Sequence, residues 1–286
     1  MRFLFCSAQL PGHLDWGGYL HTASELHRRG HEVLWVTGRA VAPFLQHAGI
    51  PFHLVEETGW RWPPPPPLQP SPQLDEDAVR VLKALRALDQ WFEEERVERA
   101  TTELLTVARD FQPDLFISEV FLSAAGLAAE AVDVPFVVAG WPAMPPKQSG
   151  GHPAVVDEAR GRLERLCQHF AIAGLNWTAV GPPAQESPHL HLTYWSPRWY
   201  SGVDLRPQTV HVGGIARPVT STTTAPSWDD TLPWVFITLG TSFGNDPNFF
   251  VLAARAAVEI GCLPILALAG QFLPEQEEAL RTMLPP

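Results

Sequence analysis

RFLFCSAQLPGHLDWGGYLHTASELHRRGHEVLWVT, residues 2–37, decides the fold. Arg2–Ser7 is a short apolar run with strand character. It breaks at Pro11-Gly12, and His13 follows at once. The amphipathic stretch from Asp15 to Arg29 comes next and closes on Gly30. A second apolar run, Glu32–Thr37, begins after His31. Strand, loop, helix and strand in that order make a parallel crossover unit, with an ionisable imidazole in its first loop. In open α/β sheets the loops at the carboxyl ends of parallel strands bind the ligand, so this arrangement points to an enzyme.

The totals fit that reading. At 286 residues, the chain suits one large domain or two ordinary ones. A hydrophobic fraction of 45% and a charged fraction of 18% are those of a globular protein with a substantial core. The net charge of −11 argues against nucleic acid as a partner, because phosphate binding needs a basic face. Cys6, Cys167 and Cys262 are odd in number and far apart, so they form neither a disulfide framework nor a zinc spacing. A reducing, cytoplasmic setting is expected. The first apolar run is too short for a secretory signal, and no stretch approaches the ~18 apolar residues of a membrane span. Asn176-Trp177-Thr178 matches a glycosylation sequon, which chance explains best.

Strands and helices alternate onward. Leu115–Ser118 and Phe136–Ala139 read as further buried parallel strands. A long helix is expected from Asp75 to about Asp110, with Val79, Leu82, Leu85 and Leu88 at three-residue steps. Phe121–Val132, rich in small residues, reads as a tightly packed helix. His189–Tyr194 and Thr209–Val212 read as the last strands of this part. The alternation argues for a doubly wound sheet. Residues 1–215 thus form a first domain and 216–232, rich in Thr, Ser and Pro, a linker. Residues 233–286 begin a second domain: strand Trp234–Leu239, turn Gly240–Asn245, helix Pro247–Ile260, strand Leu263–Leu268 and helix Pro274–Met283. This last part is shorter than the ~100–200 residues of a usual domain, so the second domain is expected to be incomplete.

A neutral imidazole can take a proton from a hydroxyl near neutral pH. Placed just before a helix N-terminus, His13 would be kept neutral by the helix dipole. Glu119, at the carboxyl end of Leu115–Ser118, is the acid best placed to orient it. The competing readings are a loop histidine that merely packs and a glutamate that caps the following helix. Asp15 reads as a helix cap. Gly240, Thr241 and Ser242 lie between a strand and a helix, where backbone amides favour an anion such as a diphosphate. Many such turns are glycine-rich for steric reasons alone. Nothing matches a P-loop or a Gly-x-Gly-x-x-Gly fingerprint. Gly59 to Pro72 holds Trp60, Trp62 and five prolines in a row. It reads either as a stiff polyproline spacer or as a loop whose tryptophans cover a pocket. Trp141, with Pro142 and Met144, and Trp195, Trp199 and Tyr200 could line an apolar pocket or pack ordinarily. His189 and His191 share a strand face and could form half a metal site. With no local third ligand, scaffold histidines are the better reading. No metal site is expected.

On these residues the chain resembles the nucleotide-sugar glycosyltransferases of the GT-B type, in particular the UDP-glycosyltransferase and macrolide glycosyltransferase group. The segments that carry the resemblance are Met1–Phe5 with Pro11–Leu14, Arg29–Val33, Pro113–Glu119, Val212–Gly214 and Val235–Thr241. The resemblance implies two facing Rossmann-like domains, the second incomplete, with an acceptor site in the first and a donor site in the second. It implies His13 as catalytic base, Glu119 as its partner, and Gly240, Thr241 and Ser242 against the donor diphosphate. The implied reaction is an inverting, metal-independent transfer of a hexose from a nucleotide diphosphate sugar, UDP-sugar first, to a hydroxyl of a small apolar acceptor. No cofactor is implied beyond the donor co-substrate. Two departures stand out. Trp16 replaces a proline that many relatives carry three residues after the histidine. The histidine- and glycine-rich donor motif of the family has no counterpart, so weak donor binding and little turnover are expected unless a second chain supplies that half. The alternatives are a non-catalytic small-molecule-binding remnant and an unrelated nucleotide-cofactor α/β enzyme.

Overall fold

A computed structural model describes residues 1–14, 17–62, 75–140, 151–214, 231–240, 246–268 and 272–285. The chain divides into two compact units, the described residues up to 214 and those from 231 onward.

The first unit runs β1 (Arg2–Cys6), α1 (Pro11–Leu14), α2 (Tyr19–Arg28), β2 (Glu32–Thr37), α3 (Ala42–Ala48) and β3 (Phe52–Leu54). It continues with α4 (Glu76–Phe92), α5 (Glu94–Phe111), β4 (Leu115–Ser118), α6 (Ser123–Ala131) and β5 (Phe136–Ala139). α7 (Pro153–Phe170), β6 (Leu190–Thr193) and β7 (Thr209–His211) complete it. The strands form one sheet in the order β3-β2-β1-β4-β5-β6-β7, and every neighbouring pair is parallel. The order reverses between β1 and β4, which places the sheet's crevice at the carboxyl ends of those two strands.

Alternation along the strands separates two cores. Leu4, Cys6, Val36, Phe116 and Val138 point to one face, with Ala100, Leu104, Ala124 and Ala128 of α5 and α6 packed on them. Phe3, Phe5, Val33, Trp35 and Ile117 point to the other, under Tyr19 and Ala23 of α2 and Leu45 of α3. A third cluster joins Leu88 and Phe92 of α4, Leu127 of α6 and Leu163 and Leu166 of α7. Each face of the sheet is therefore covered, as an all-parallel sheet requires.

Two expectations about helices are corrected. The stretch from Asp75 to Asp110 is not one helix: Glu93 is extended (φ −70°, ψ 120°) and separates α4 from α5. Glu94 and Glu95 then occupy the first turn of α5, where the helix dipole favours acids. Glu93 accepts from Arg96 Nε at 2.8 Å. The acidic run 93–95 is thus a helix start, and it lets α4 turn onto α7 while α5 stays on the sheet. Nor does a helix begin at once after His13. The histidine belongs to the single turn α1, and α2 starts only at Tyr19. Gly18, at φ +155°, lies against the Tyr194 ring, where a Cβ would approach Tyr194 Cδ1 to 2.8 Å. Any other residue there would force the Tyr194 ring or the start of α2 to shift. No helix-dipole effect on His13 follows from this geometry. The proposed cap Asp15, the prolines 63–67 and most of the expected linker lie outside the described residues.

The second unit holds β8 (Trp234–Thr238), α8 (Pro247–Glu259), β9 (Leu263–Ala267) and α9 (Pro274–Met283). β8 and β9 pair in parallel. Ile237, Phe250, Val251, Phe272 and Leu280 form its core. Among the described residues, no helix is long and apolar enough to cross a membrane. The sequon is closed off: Asn176 and Thr178 are buried, and Asn176 Nδ2 donates to the Gly126 carbonyl at 2.9 Å.

The Tyr19 hydroxyl lies 2.9 Å from both the Cys6 and Ile117 carbonyl oxygens and ties α2 to the ends of β1 and β4. Burial foremost, then the neighbouring Cys6 and Glu119, holds this phenol well above its ordinary pKa, so it stays a donor. Tyr19→Phe is expected to lower stability by about 1–2 kcal/mol. The urea midpoint should fall with an unchanged slope; an unchanged midpoint would contradict the assignment.

Candidate active site

β1 and β4 run in register from Phe3–Leu115 to Cys6–Ser118. The residues after each strand therefore emerge side by side into the crevice. From β1 come Ser7, Ala8 and, one helical turn later, His13; from β4 comes Glu119. The two predicted residues meet: His13 Nδ1 lies 3.1 Å from Glu119 Oε1.

Glu119 is fully buried, and a buried carboxylate is tolerated only when donors surround it. Its Oε1 accepts from the Ala8 amide at 3.3 Å and faces His13, while Oε2 accepts from the Phe121 amide at 2.6 Å. Capping the turn before α6 and orienting the histidine are thus one function. Further bonds fix these donors. Trp35 Nε1 donates to Ser7 Oγ at 3.0 Å, and Thr37 Oγ1 donates to the Ser7 carbonyl at 3.0 Å, setting the path of Ser7–Ala8. On the other side, buried Gln185 donates from Nε2 to the Val120 carbonyl at 2.9 Å and accepts from the Gly126 amide at 3.0 Å. Gly126 has no Cβ because one would lie 2.8 Å from Gln185 Oε1.

A carboxylate only accepts hydrogen bonds. Against Glu119 the neutral His13 ring therefore carries its proton on Nδ1 and its lone pair on Nε2. The imidazole is 1% exposed and so lies covered. The Trp60 ring lies edge-on to it with centroids 4.7 Å apart, and Phe121 lies at 5.8 Å. Trp60 and Phe121 pack at 5.6 Å, and Trp91 touches Phe121 at 6.3 Å. Trp60 is therefore at the site, covering the histidine, whereas Trp62 is half-buried against the α5–α6 side of the core.

The remaining expectations separate. Gly240 follows β8 in the second unit, and its amide donates to Thr238 Oγ1 at 3.1 Å. Thr241, Ser242 and Trp141 lie outside the described residues, as do Pro142 and Met144. Trp195 and Trp199 pack on each other at 5.4 Å, and Trp199 is exposed. His191 is buried and accepts from the Ser187 amide at 2.9 Å through Nε2, the work of a scaffold histidine. Among the described residues no three His, Cys, Asp or Glu side chains are grouped to hold a metal. Phe121, Trp91 and Gln185 were not singled out in the sequence. Nothing local marks Gln185, whose role arises only when the 182–188 loop reaches α6. A cavity of about 440 Å³ between β3 and α5, lined by Leu34, His53, Val55, Glu103 and Phe111 among others, includes none of the predicted site residues.

No family model and no curated protein matches the chain. Solved structures do. The calicheamicin glycosyltransferase CalG4 is 21% identical with a TM-score of 0.58, over 100% of this chain and 68% of that one. The glycosyltransferase of kitacinnamycin is 14% identical with a TM-score of 0.64, over 99% and 70%. The spinosyn rhamnosyltransferase SpnG, complexed with thymidine diphosphate, is 21% identical with a TM-score of 0.59, over 100% and 69%. The fold is that of the GT-B glycosyltransferases.

Burial lowers the His191 pKa from 6.5 to about 4, partly offset by its bond to the Ser187 amide. Above the ordinary value neither the folded nor the unfolded chain protonates this ring. As pH falls from about 6.5 to 4 only the unfolded chain gains the proton, so stability is lost across that window. The loss should reach about 2–3 kcal/mol. His191→Gln, whose carboxamide oxygen can accept from Ser187, should flatten this limb in pH-dependent urea titrations. An equally steep limb in the variant would contradict it.

Proposed function

We propose that this chain is a glycosyltransferase that moves a hexose from a nucleoside diphosphate sugar to a hydroxyl of a small, apolar acceptor. The observation that carries this reading is the buried His13–Glu119 pair, 3.1 Å apart, at the reversal point of the sheet. His13 Nε2 takes the acceptor proton. The freed oxygen attacks the anomeric carbon, the bond from that carbon to the diphosphate oxygen breaks, and the diphosphate departs from the opposite face with inversion. Glu119 stabilises the imidazolium until its proton passes to solvent. Holding hydroxyl and sugar in line supplies much of the acceleration. The donor diphosphate is assigned to Gly240, Thr241 and Ser242, as the resemblance implies. No step requires a metal. Thymidine diphosphate in SpnG supports testing a thymidine diphosphate sugar beside the UDP-sugar suggested by the sequence.

The burial of His13 favours a second reading, in which the chain binds a small molecule without turning it over. For catalysis the hydroxyl must reach Nε2, and Trp60 is the ring that has to yield.

Both readings meet in one assay, release of nucleoside diphosphate from UDP-glucose or thymidine diphosphate glucose with a hydroxylated aromatic acceptor. We expect weak donor binding and slow acceptor-dependent release, as the missing histidine- and glycine-rich motif implies. His13→Ala should lower it by about 10²–10⁴-fold, and Glu119→Gln should lower it by about tenfold or more, with folding checked by thermal melts. Release that is unchanged in His13→Ala would overturn the catalytic assignment. Acceptor binding without any release would establish the second reading.

A further inference from the structure

Trp60 is 3% exposed, and among the described residues its buried indole Nε1 has no hydrogen-bond partner. The chain satisfies comparable groups beside it: Trp35 Nε1 donates to Ser7, and the Tyr19 hydroxyl reaches two carbonyls. Trp177 shares the orphaned state, but it sits in the apolar cluster with Phe92, Leu163 and Leu166. Trp60 instead packs against the buried histidine of the site. An indole N–H is a donor only, and leaving it dry and unpaired is costly. A buried polar group without a partner needs an explanation, and beside the site's histidine a ligand atom that completes it is one.

The backbone that carries Trp60 is anchored on both sides. The Trp60 amide donates to Thr58 Oγ1 at 3.3 Å, the Arg61 amide donates to the Gln90 carbonyl at 2.8 Å, and the Gln90 side chain donates back to the Arg61 carbonyl. Thr58 and Gln90 are themselves buried. The segment is therefore fixed to α4, and reorientation falls to the ring. A guest that reaches the imidazole has to part it from this ring.

We propose that Trp60 selects the acceptor. Its indole N–H donates to a second oxygen of the acceptor, close to the hydroxyl that His13 deprotonates. This rests on the glycosyl-transfer reading and narrows its substrate class to molecules bearing two neighbouring oxygens, such as vicinal diols or hydroxyl groups beside a carbonyl. The two rings are direct neighbours, with centroids 4.7 Å apart, so one small molecule that parts them can meet both. A lone hydroxyl would engage His13 and leave the indole unpaired.

The test compares naphthalene-2,3-diol with 2-naphthol by calorimetric titration of the full chain and of Trp60→Phe, which keeps a ring and removes the donor. Naphthalene-2,3-diol should bind the variant about five- to tenfold more weakly, the worth of one hydrogen bond, while 2-naphthol should bind both proteins alike. In the unaltered protein, the Trp60 indole proton, identified by its loss in Trp60→Phe, should move downfield in NMR spectra with naphthalene-2,3-diol and stay in place with 2-naphthol. The second measurement reads the unaltered protein and needs a variant only for the assignment, for which Trp60→Tyr serves if Trp60→Phe folds poorly. Equal loss for both probes, no loss for either, or an indole proton indifferent to naphthalene-2,3-diol would overturn the role of Trp60 and leave the glycosyl-transfer reading intact. If neither probe binds the unaltered protein, the role of Trp60 falls, and the glycosyl-transfer reading is decided separately by the release assay.

Discussion

A carboxylate with no access to water organises this molecule's functional end. Glu119 must collect donors from its surroundings, and it takes them from three places: the amide after β1, the amide at the start of the turn into α6, and the imidazole of His13. Each of those donors is fixed by something deeper. Ser7–Ala8 is held by Trp35 and Thr37 on β2, and Val120 is held by Gln185. Charge-assisted bonds of this kind are stronger than neutral ones and specific in direction. The cost of burying the charge is thus offset only when sheet, loops and histidine are all in register.

The same burial shapes the chemistry. In the proposed reaction, removing water from the pair would strengthen Glu119's hold on an imidazolium and favour proton transfer to Nε2. It also shuts the site. Trp60, Phe121 and Trp91 form a continuous aromatic cover over the imidazole. The cover suits an apolar guest that can replace its edge-to-face contacts, and the unpaired indole N–H gives that guest a polar point to meet. In the proposed mechanism, acceptor recognition and exposure of the base become one event.

The sheet was legible because its strands are continuous apolar runs, and each is followed by turn residues. β1, β2, β4 and β5 differ from their expected limits by at most one residue, and α9 by none. His13 and Glu119 could be paired from sequence because both follow strands at the same rim, and topology brings such positions together. Other features were not written locally. The break at Glu93 hid inside an uninterrupted helical pattern, since acids suit a helix interior surface as well as a helix start. Proximity of Gly18 to Tyr194 and of Gln185 to Gly126 depends on contacts across 176 and 59 positions of chain. The cover over His13 was half visible: the tryptophans at 60 and 62 announced an aromatic loop, but only packing shows that Trp60 reaches the imidazole and Trp62 does not figure among its ring contacts.

The most direct measurement is a crystal structure of the protein soaked with a hydroxylated aromatic acceptor. The account predicts the acceptor hydroxyl within hydrogen-bond distance of His13 Nε2, with the His13–Glu119 contact kept and the Trp60 ring moved aside. An acceptor bound elsewhere, with the imidazole still covered as it is now, would contradict it.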